Sequence, residues 1–466
     1  MHKLLTDTPG KEMLLLGNEA IARGALEAGI SFATCYPGTP SSEIPEQFFR
    51  ISQETDLYFE YSTNEKVAME VGAGAAVSGL RTMVTLKHVG LNVAADPLMT
   101  LAYTGIKGGM VIINADDPSL FSSQNEQDNR FYARLSGLPM LEPTNVQEMK
   151  DMTIAAFDLS EELALPVIIR TTTRLNHIRA AVELGELKPV KAKDTFQKNP
   201  FHFVCVPAVS RNLHKLLLEK YDKALEKSEN WPHNQIIGDG KWGIVANGVS
   251  FNYVRDAVSD LGIGDKVSIL KLGFSWPMPK DLCSRFLKHV DKALVVEELE
   301  PVNENDLKAI AQENGIITPI KGKGVSGLSR LFEYDPGLVR QSIAEYFGLD
   351  YTAPEITDLS DLPALLGDRR ISAPDALTGL PTMLSSRSTG RIPSIRLISV
   401  VTPWVCFRPF PWPTLSFVWA LQSAPVAAFP VPPIKRWCHS LAIPPFSIQE
   451  SRGSLMRFTT ITNSPS

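Results

Sequence analysis

The chain has 466 residues and a formal charge of −5 at pH 7, with 44% hydrophobic and 21% charged residues. That is room for two to four domains and a sizeable core, and the mild acidity gives no footprint for a nucleic-acid partner. Five cysteines (Cys35, Cys205, Cys283, Cys406, Cys438) lie far apart, with no CxxC pair, zinc spacing or iron–sulfur run. They read as the reduced thiols of a cytoplasmic protein, and the charged start MHKLLTDTPGKEMLLLGNEA gives no signal peptide.

In chain order, EMLLLGNEAIARGALEAGI (12–30) reads as a short strand-like run and then a helix. Its apolar side is Ala20, Ile21, Ala25, Leu26 and Ala28, and Gly29 stops it. Residues 31–36 form a buried strand, followed by the stiff, polar turn YPGTPSSE. SSEIPEQFFRISQ reads as a helix with Ser41 or Ser42 as its cap and Glu43 in the first turn. LYFEYS (57–62) is a strand, NEKVAMEVGAGAAVSG (64–79) a helix rich in small residues, and RTMVTLK a strand. VGLNVAADPLMTLAYTG is a helix, GGMVIINADD a strand, and PSLFSSQNEQDNR a long polar loop. PMLEPT, a helix over 145–163 and LPVIIRTTT continue the alternation.

Repeated β–α order predicts a doubly wound parallel α/β sheet over residues 1–180. Residues 181–240 read as a connector with a helix near 210–229, and a second, smaller α/β domain spans 241–350. A linker covers 351–370. The remainder, 371–466, holds 14 of the 34 prolines, 4 of the 7 tryptophans, 8 Lys/Arg and 2 Asp/Glu. It therefore carries +6 against −11 for the rest, and two such compositions need separate explanations.

Ligands in doubly wound sheets bind in the crevice at the carboxyl ends of the strands. Glu65 opens a helix at that edge, although a first-turn glutamate also complements a helix dipole, and on these facts alone the dipole is the simpler account. Gly74 and Gly79 are costly inside a helix, so one side should approach another backbone or a ligand closely. In the turn, Pro37 and Pro40 fix the backbone, while Gly38, Thr39, Ser41 and Ser42 suit either an anion or a rigid helix cap. Lys87 could pair an anionic substrate, although a lone lysine there is more often solvated, and a lone histidine such as His88 beside it is more often structural. The loop SSQNEQDNR (122–130) suits a lid or a subunit contact. No GxGxxG, Walker A or HExxH motif occurs.

The stretches CYPGTPSSEIPE, STNEKVAMEVGAGAAVSG, KHVGLNVAADPL and ADDPSLFSSQNEQDNR, in this order, resemble the α subunits of indolepyruvate ferredoxin oxidoreductases. These belong to the thiamine-diphosphate-dependent 2-oxoacid oxidoreductases. LKLGFSWPMP with ALVVEELEPVNENDLKAIA resembles the second domain of the same family, so the likeness covers about 12–350. It implies a pyrimidine-type thiamine-diphosphate domain at 1–180 and a transketolase C-terminal-like domain at 241–350. Glu65 is implied as the glutamate that hydrogen-bonds the aminopyrimidine ring, with Glu70 as second choice. Gly74 and Asn92 are implied at the cofactor; Gly38, Thr39, His88 and Gln124 are implied at the 2-oxoacid. The resemblance also implies a smaller β-type subunit, ferredoxin, coenzyme A and a hetero-oligomer, with no nucleic acid and no membrane.

The family pattern calls next for a diphosphate-binding domain with Mg2+ and for [4Fe-4S] clusters, and their ligands are not readable here. Residues 409–433 carry no charge, but Pro409, Pro411, Pro413, Pro425 and Pro430 break them as a membrane span. A shift of reading frame near 366–370 accounts for the tail. Read one frame over, with permitted synonyms, residues 369–385, 397–407 and 438–453 can encode RPPDLCPGCPHRATYYA, DIGCYTLG and SFIGDSTFFHSGIP. All three look like diphosphate-domain motifs of the family, in the family's order. A segment never selected as protein should be poorly ordered, with Trp404, Phe410, Trp412 and Phe417 exposed.

The expectation is thus a subunit that oxidatively decarboxylates aryl-pyruvates such as indolepyruvate to the acyl-CoA, using thiamine diphosphate and passing electrons to ferredoxin. The alternatives are a non-catalytic truncated product or assembly partner, and a related pyruvate or 2-oxoglutarate oxidoreductase subunit.

Overall fold

The computed structural model describes residues 2–190 and 195–352. The expectations for 371–466, for 353–370 of the linker and for the frame near 366–370 lie outside the described residues.

The first half runs β1 (Glu12–Leu16), α1 (Gly17–Glu27), β2 (Phe32–Cys35), α2 (Glu43–Ile51), β3 (Tyr58–Tyr61), α3 (Glu65–Val77), β4 (Thr82–Lys87), α4 (His88–Val93), α5 (Ala95–Thr104) and β5 (Met110–Asp116). It continues through α6 (Arg130–Ser136), β6 (Met140–Leu141), α7 (Val146–Leu163), β7 (Val167–Thr172), α8 (Thr173–His177) and β8 (Arg179–Glu183). After α9 (Pro200–Phe203) and α10 (Pro207–Glu229) come β9 (Gln235–Ile237), β10 (Trp242–Asn247), α11 (Ser250–Asp260), β11 (Val267–Leu272) and β12 (Phe274–Trp276). The last described elements are α12 (Lys280–His289), β13 (Lys292–Val296), α13 (Val302–Glu313), β14 (Ile320–Lys321) and α14 (Pro336–Phe347).

The larger sheet has the order β12-β6-β7-β5-β4-β2-β3, parallel throughout except where β12 meets β6. Every residue of β5 and β7 is buried, as the Val/Ile-rich runs of a sheet covered on both faces should be. The smaller sheet has the order β14-β13-β10-β11-β9, with only β9 antiparallel. A second apolar cluster packs its outer face, with Val245, Leu270 and Val295 against Phe286, Leu287 and Leu307. This is the doubly wound α/β architecture with a smaller second α/β domain that the β–α alternation predicts.

The two sheets are tied by backbone. β12 follows β11 in the chain, yet it pairs with β6 of the larger sheet. The stretch read as a connector is also structured: β8 pairs antiparallel with β1, and α10 packs against α5, α7 and β12.

Two local expectations change. The helix expected through the VGLNVAADPLMTLAYTG stretch is two helices, α4 and α5, meeting at Ala94. Neither Ser41 nor Ser42 caps α2: Ser42 already has helical angles (φ −60°, ψ −30°), whereas a capping residue must be extended. Ser41 instead donates its hydroxyl to Gly38 O at 3.0 Å, closing the turn on itself. The helix opening at Glu65 does have a side-chain cap, because Asn64 is extended and its side chain accepts from Val67 N at 2.9 Å.

Candidate functional site

From β2 the chain moves outward to β3 and returns on the other side of β2 as β4. The connections therefore part between β2 and β4, and the crevice beyond their carboxyl ends is the topological switch point. The turn after β2 and the Lys87–His88 corner after β4 face each other there. They touch closely, since a Cβ on Gly38 would lie 2.8 Å from Lys87 Cβ. The turn is held from beneath: Pro40 O accepts from Asn18 Nδ2 at 2.8 Å and from Asn176 Nδ2 at 3.1 Å. Thr39 is exposed at its tip.

Glu65, half-buried as the first residue of α3, reaches the same corner. A Cβ on Gly90 would sit 2.7 Å from its Cγ and 2.8 Å from its Oε1, so only glycine at position 90 leaves the side chain where it is. Among the described residues no hydrogen bond or ion pair is made to the Glu65 carboxylate. Glu70, one turn on, is exposed and lies 3.8 Å from Lys66.

The loop after β5 closes over the corner. Lys87 Nζ donates to Ser122 O, and burial moves its ammonium pKa down. His88 is fully buried, with Nε2 at 3.2 Å from both Asn125 O and Asn125 Oδ1. A backbone carbonyl only accepts, so Nε2 carries a proton in that contact. Nδ1 is buried and has no partner among the described residues. Asp117 anchors the start of the loop by accepting from Ser122 N at 2.8 Å and from the Ser123 hydroxyl. Burial pushes the Asp117 carboxyl up, but its bonds from Ser123, Thr173 and Ser122 outweigh that and hold it below the usual range.

The remaining sequence candidates separate clearly. Gln124 is exposed on the loop. The Asn92 amide is engaged on both sides, donating to Gln127 Oε1 at 2.9 Å and accepting from Gln127 Nε2 and Tyr132 OH at 2.7 Å. A Cβ on Gly74 would meet nothing within 4 Å, so no close approach inside this chain accounts for that glycine. The close approach falls two residues earlier, where a Cβ on Gly72 would meet Val84 Cγ2 at 2.5 Å. Gly90 and Asn125 were not singled out from the sequence, although each stands in a stretch whose neighbours were.

Behind the loop, buried charges join the two sheets. Arg130 reaches Asp128 Oδ2 at 2.6 Å, Glu297, and the carbonyls of Glu298 (3.0 Å) and Glu300 (2.9 Å). Burial pushes the Asp128 carboxyl up, yet Arg130 and Arg170 hold it well below the usual range. Arg170 bonds Asp116 at 2.7 Å and Glu142 at 2.6 Å, and Asn247 of β10 reaches the same Glu142 oxygen at 2.8 Å. A small polar cavity lies in this seam, lined among others by Arg170, Thr171, Thr172, Asn247, Ser250 and Glu298.

Burial lifts the Glu298 carboxyl to about 7. Its folded value is thus above its unfolded one of about 4.3. The group favours folding fully below the unfolded value, and that contribution is lost as pH rises through the folded one. Glu298→Gln, which can still accept from Tyr334 N, should therefore melt higher than the parent at pH 8 and at the same temperature near pH 4.5. A constant difference across that range would show that the Glu298 charge is not what matters.

Among the described residues no group of three or more His, Cys, Asp or Glu converges on a metal position, and no helix is long and apolar enough to cross a membrane.

Residues 23–214 match the family described as pyruvate flavodoxin/ferredoxin oxidoreductase, thiamine diP-bdg, and 232–313 match the indolepyruvate ferredoxin oxidoreductase middle domain. The chain is 49% identical over 354 residues to indolepyruvate oxidoreductase subunit IorA of Thermococcus kodakarensis, covering 74% of this chain and 54% of that one. To IorA of Methanothermobacter marburgensis it is 46% identical over 343 residues, covering 73% and 55%. To 2-oxoglutarate synthase subunit KorA of Archaeoglobus fulgidus it is 26% identical, covering 66% of this chain and 96% of that one. The matched part thus spans just over half the length of the IorA relatives. The fold is also that of 2-oxoglutarate:ferredoxin oxidoreductase from Magnetococcus marinus, solved with 2-oxoglutarate, coenzyme A and succinyl-CoA bound, at TM-score 0.59, 18% identity and coverage of 72% and 65%.

Proposed function

The chain belongs to the thiamine-diphosphate-dependent 2-oxoacid:ferredoxin oxidoreductases and carries the middle domain of their indolepyruvate branch, and on that premise we propose that it serves the oxidative decarboxylation of aryl-pyruvates such as indolepyruvate to the acyl-CoA. Its 1–180 domain would supply the pyrimidine side of the cofactor site, 181–240 a structural bridge, and 241–350 the second domain. The observation that carries this reading is the free Glu65 carboxylate at the switch-point crevice, given room by Gly90.

The residues present fit the cofactor's ring: a carboxylate without a partner among the described residues, half-buried, at the end of a parallel sheet. Thiamine diphosphate, when bound, supplies the carbon nucleophile that attacks the keto group and the electron sink for loss of CO2. Glu65 would hold a proton between its carboxylate and a ring nitrogen of the aminopyrimidine. Thr39 and Gln124 would orient the oxoacid through their hydroxyl and amide. Lys87 would attract its carboxylate, and His88 would stand beside it holding Asn125 of the loop. Gly38, Gly74 and Asn92 are assigned as backbone and helix positions around these groups.

The proposal gives this chain no ligands for Mg2+, the diphosphate or [4Fe-4S] clusters. A hetero-oligomer with a smaller β-type subunit, and ferredoxin as acceptor, complete the scheme. The stretch 371–466 is read as out of frame, and the nucleotide sequence across codons 360–380 tests that directly: an uninterrupted frame without an inserted or lost base refutes it.

The function is tested by titrating the purified chain with thiamine diphosphate and Mg2+, and by assaying the frame-corrected chain with its partner on a panel of oxoacids. Turnover of indolepyruvate ahead of pyruvate and 2-oxoglutarate is expected. Preference for one of the other two would reassign the substrate, and absence of both binding and turnover would leave the chain as an assembly partner.

A further inference from the structure

The loop 117–129 is fastened at both ends by buried groups, Asp117 at its start and the Asp128–Arg130 pair at its finish. Asp128 also accepts from Glu300 N at 3.2 Å, which ties that end to the second domain. Its middle, which carries Ser122 and Asn125, rests on a second set of contacts with the segment before α14. Glu126 Oε1 accepts from Ser119 N at 2.6 Å within the loop and from Phe332 N at 3.0 Å across the seam. Ser119 Oγ accepts from Glu333 N at 2.9 Å, and Arg174 pairs with Glu333. Both partners of Glu126 have left-handed backbone angles, Ser119 at φ 70° and Phe332 at φ 67°. Such angles carry a cost for residues other than glycine and persist where surrounding contacts fix them.

We propose that Glu126 is a positioning residue that latches the crevice loop to the second domain, so that the second domain sets where Asn125 meets His88 and where Ser122 meets Lys87. Glu126 touches neither of those groups. It fixes two strained backbone amides, one on each side of the seam, with one carboxylate, whose Oε2 also accepts from Phe332 N at 3.3 Å. The remaining contacts of the loop's middle, Asn125 with His88 and Ser122 with Lys87, run only to the first domain. Without the latch these corner groups stay covalently in place, and the Ser119–Glu333 bond is what still refers the loop to residues 326–335. The latch stands on contacts alone; its catalytic meaning rests on the function proposed above.

Hydrogen–deuterium exchange on the full chain tests it. Glu126→Ala should speed exchange of the Ser119 and Phe332 amides about tenfold or more, while Val84 and Ile112 in the central strands stay protected. Glu126→Gln keeps an acceptor oxygen and should restore most of the protection. The His88 ring signals in an NMR spectrum should move in the alanine variant and return in the glutamine variant. Ser119→Ala, which removes only the bond to Glu333 N, should give an intermediate loosening and serves if Glu126→Ala does not fold. Unchanged exchange at residues 119 and 332 in Glu126→Ala, or in Ser119→Ala should that variant be needed, would overturn the proposal. So would His88 signals indifferent to the latch. These readouts do not depend on cofactor or turnover, so failure of the functional reading leaves them interpretable.

Discussion

Glu65→Gln should leave the fold intact and slow thiamine C2 proton exchange, in the enzyme restored to the reading frame proposed above, by about a hundred- to ten-thousand-fold, the range for removal of one positioned proton-transfer group. The amide keeps the shape of the carboxylate but does not hold the proton in the same way. Glu65→Ala should be worse still. Gly90→Ala gives a check that leaves Glu65 itself in place. An alanine in a helix is favoured over glycine by up to about 1 kcal/mol, so the change should not lower stability. Its methyl group would nevertheless sit 2.7 Å from Glu65 Cγ and displace that side chain. The expected pairing is normal melting with lost exchange activity, measured by calorimetry and by NMR of the C2 proton. Near-normal exchange in Glu65→Gln would refute the assignment.

Arg130→Met should be the most damaging single change to stability in the described chain. The guanidinium is almost fully buried and bridges Asp128 and Glu297. Glu297 in turn accepts from Asn303 N and Glu304 N, both at 2.9 Å, at the start of α13. Removing the cation leaves buried Glu297 without its ion-pair partner and buried Asp128 with Arg170 alone, at 3.8 Å. Losing one partner of a buried pair costs about 3–5 kcal/mol, whereas a well-packed apolar replacement of the whole set can be neutral. The loss should be largest above pH 7, where both acids must be charged. Chemical denaturation at pH 5 and pH 8 would check both size and direction. A change below about 1 kcal/mol at both would mean that the network relaxes or admits water freely.

The period of the chain made the sheet legible. The buried runs of β5 and β7 and the return to polar residues after each helix are local signals, and they placed the crevice without reference to tertiary contacts. Glu65 was legible as a helix-opening acid at that edge. Its lack of a partner among the described residues was not, and the room for its side chain depends on Gly90, which is 25 positions away and on another helix. The serine cap failed for a local reason: Ser42 is one residue too far into the helix, and Ser41 bonds backward. The Arg130 and Arg170 networks were invisible, since their partners are spread from residue 116 to residue 300. No periodicity encodes such a meeting. The roles proposed for Thr39, His88 and Gln124 came from family likeness, and the fold adds only that Thr39 and Gln124 are exposed and His88 is buried.

The loan of β12 from the second domain to the larger sheet bears on how the molecule is made. Phe274 and Trp276 pair with Leu141 and Met140, more than a hundred residues earlier. A contact so remote in sequence must wait until the chain between is in hand, which slows closure of that side of the sheet. Until then β6 is a bare strand edge, able to recruit another nascent chain. Cutting at residue 240 to isolate the first domain would make that transient hazard permanent. The natural unit for expression is therefore the whole of residues 1–350, with the second domain serving as its neighbour's guard against self-association.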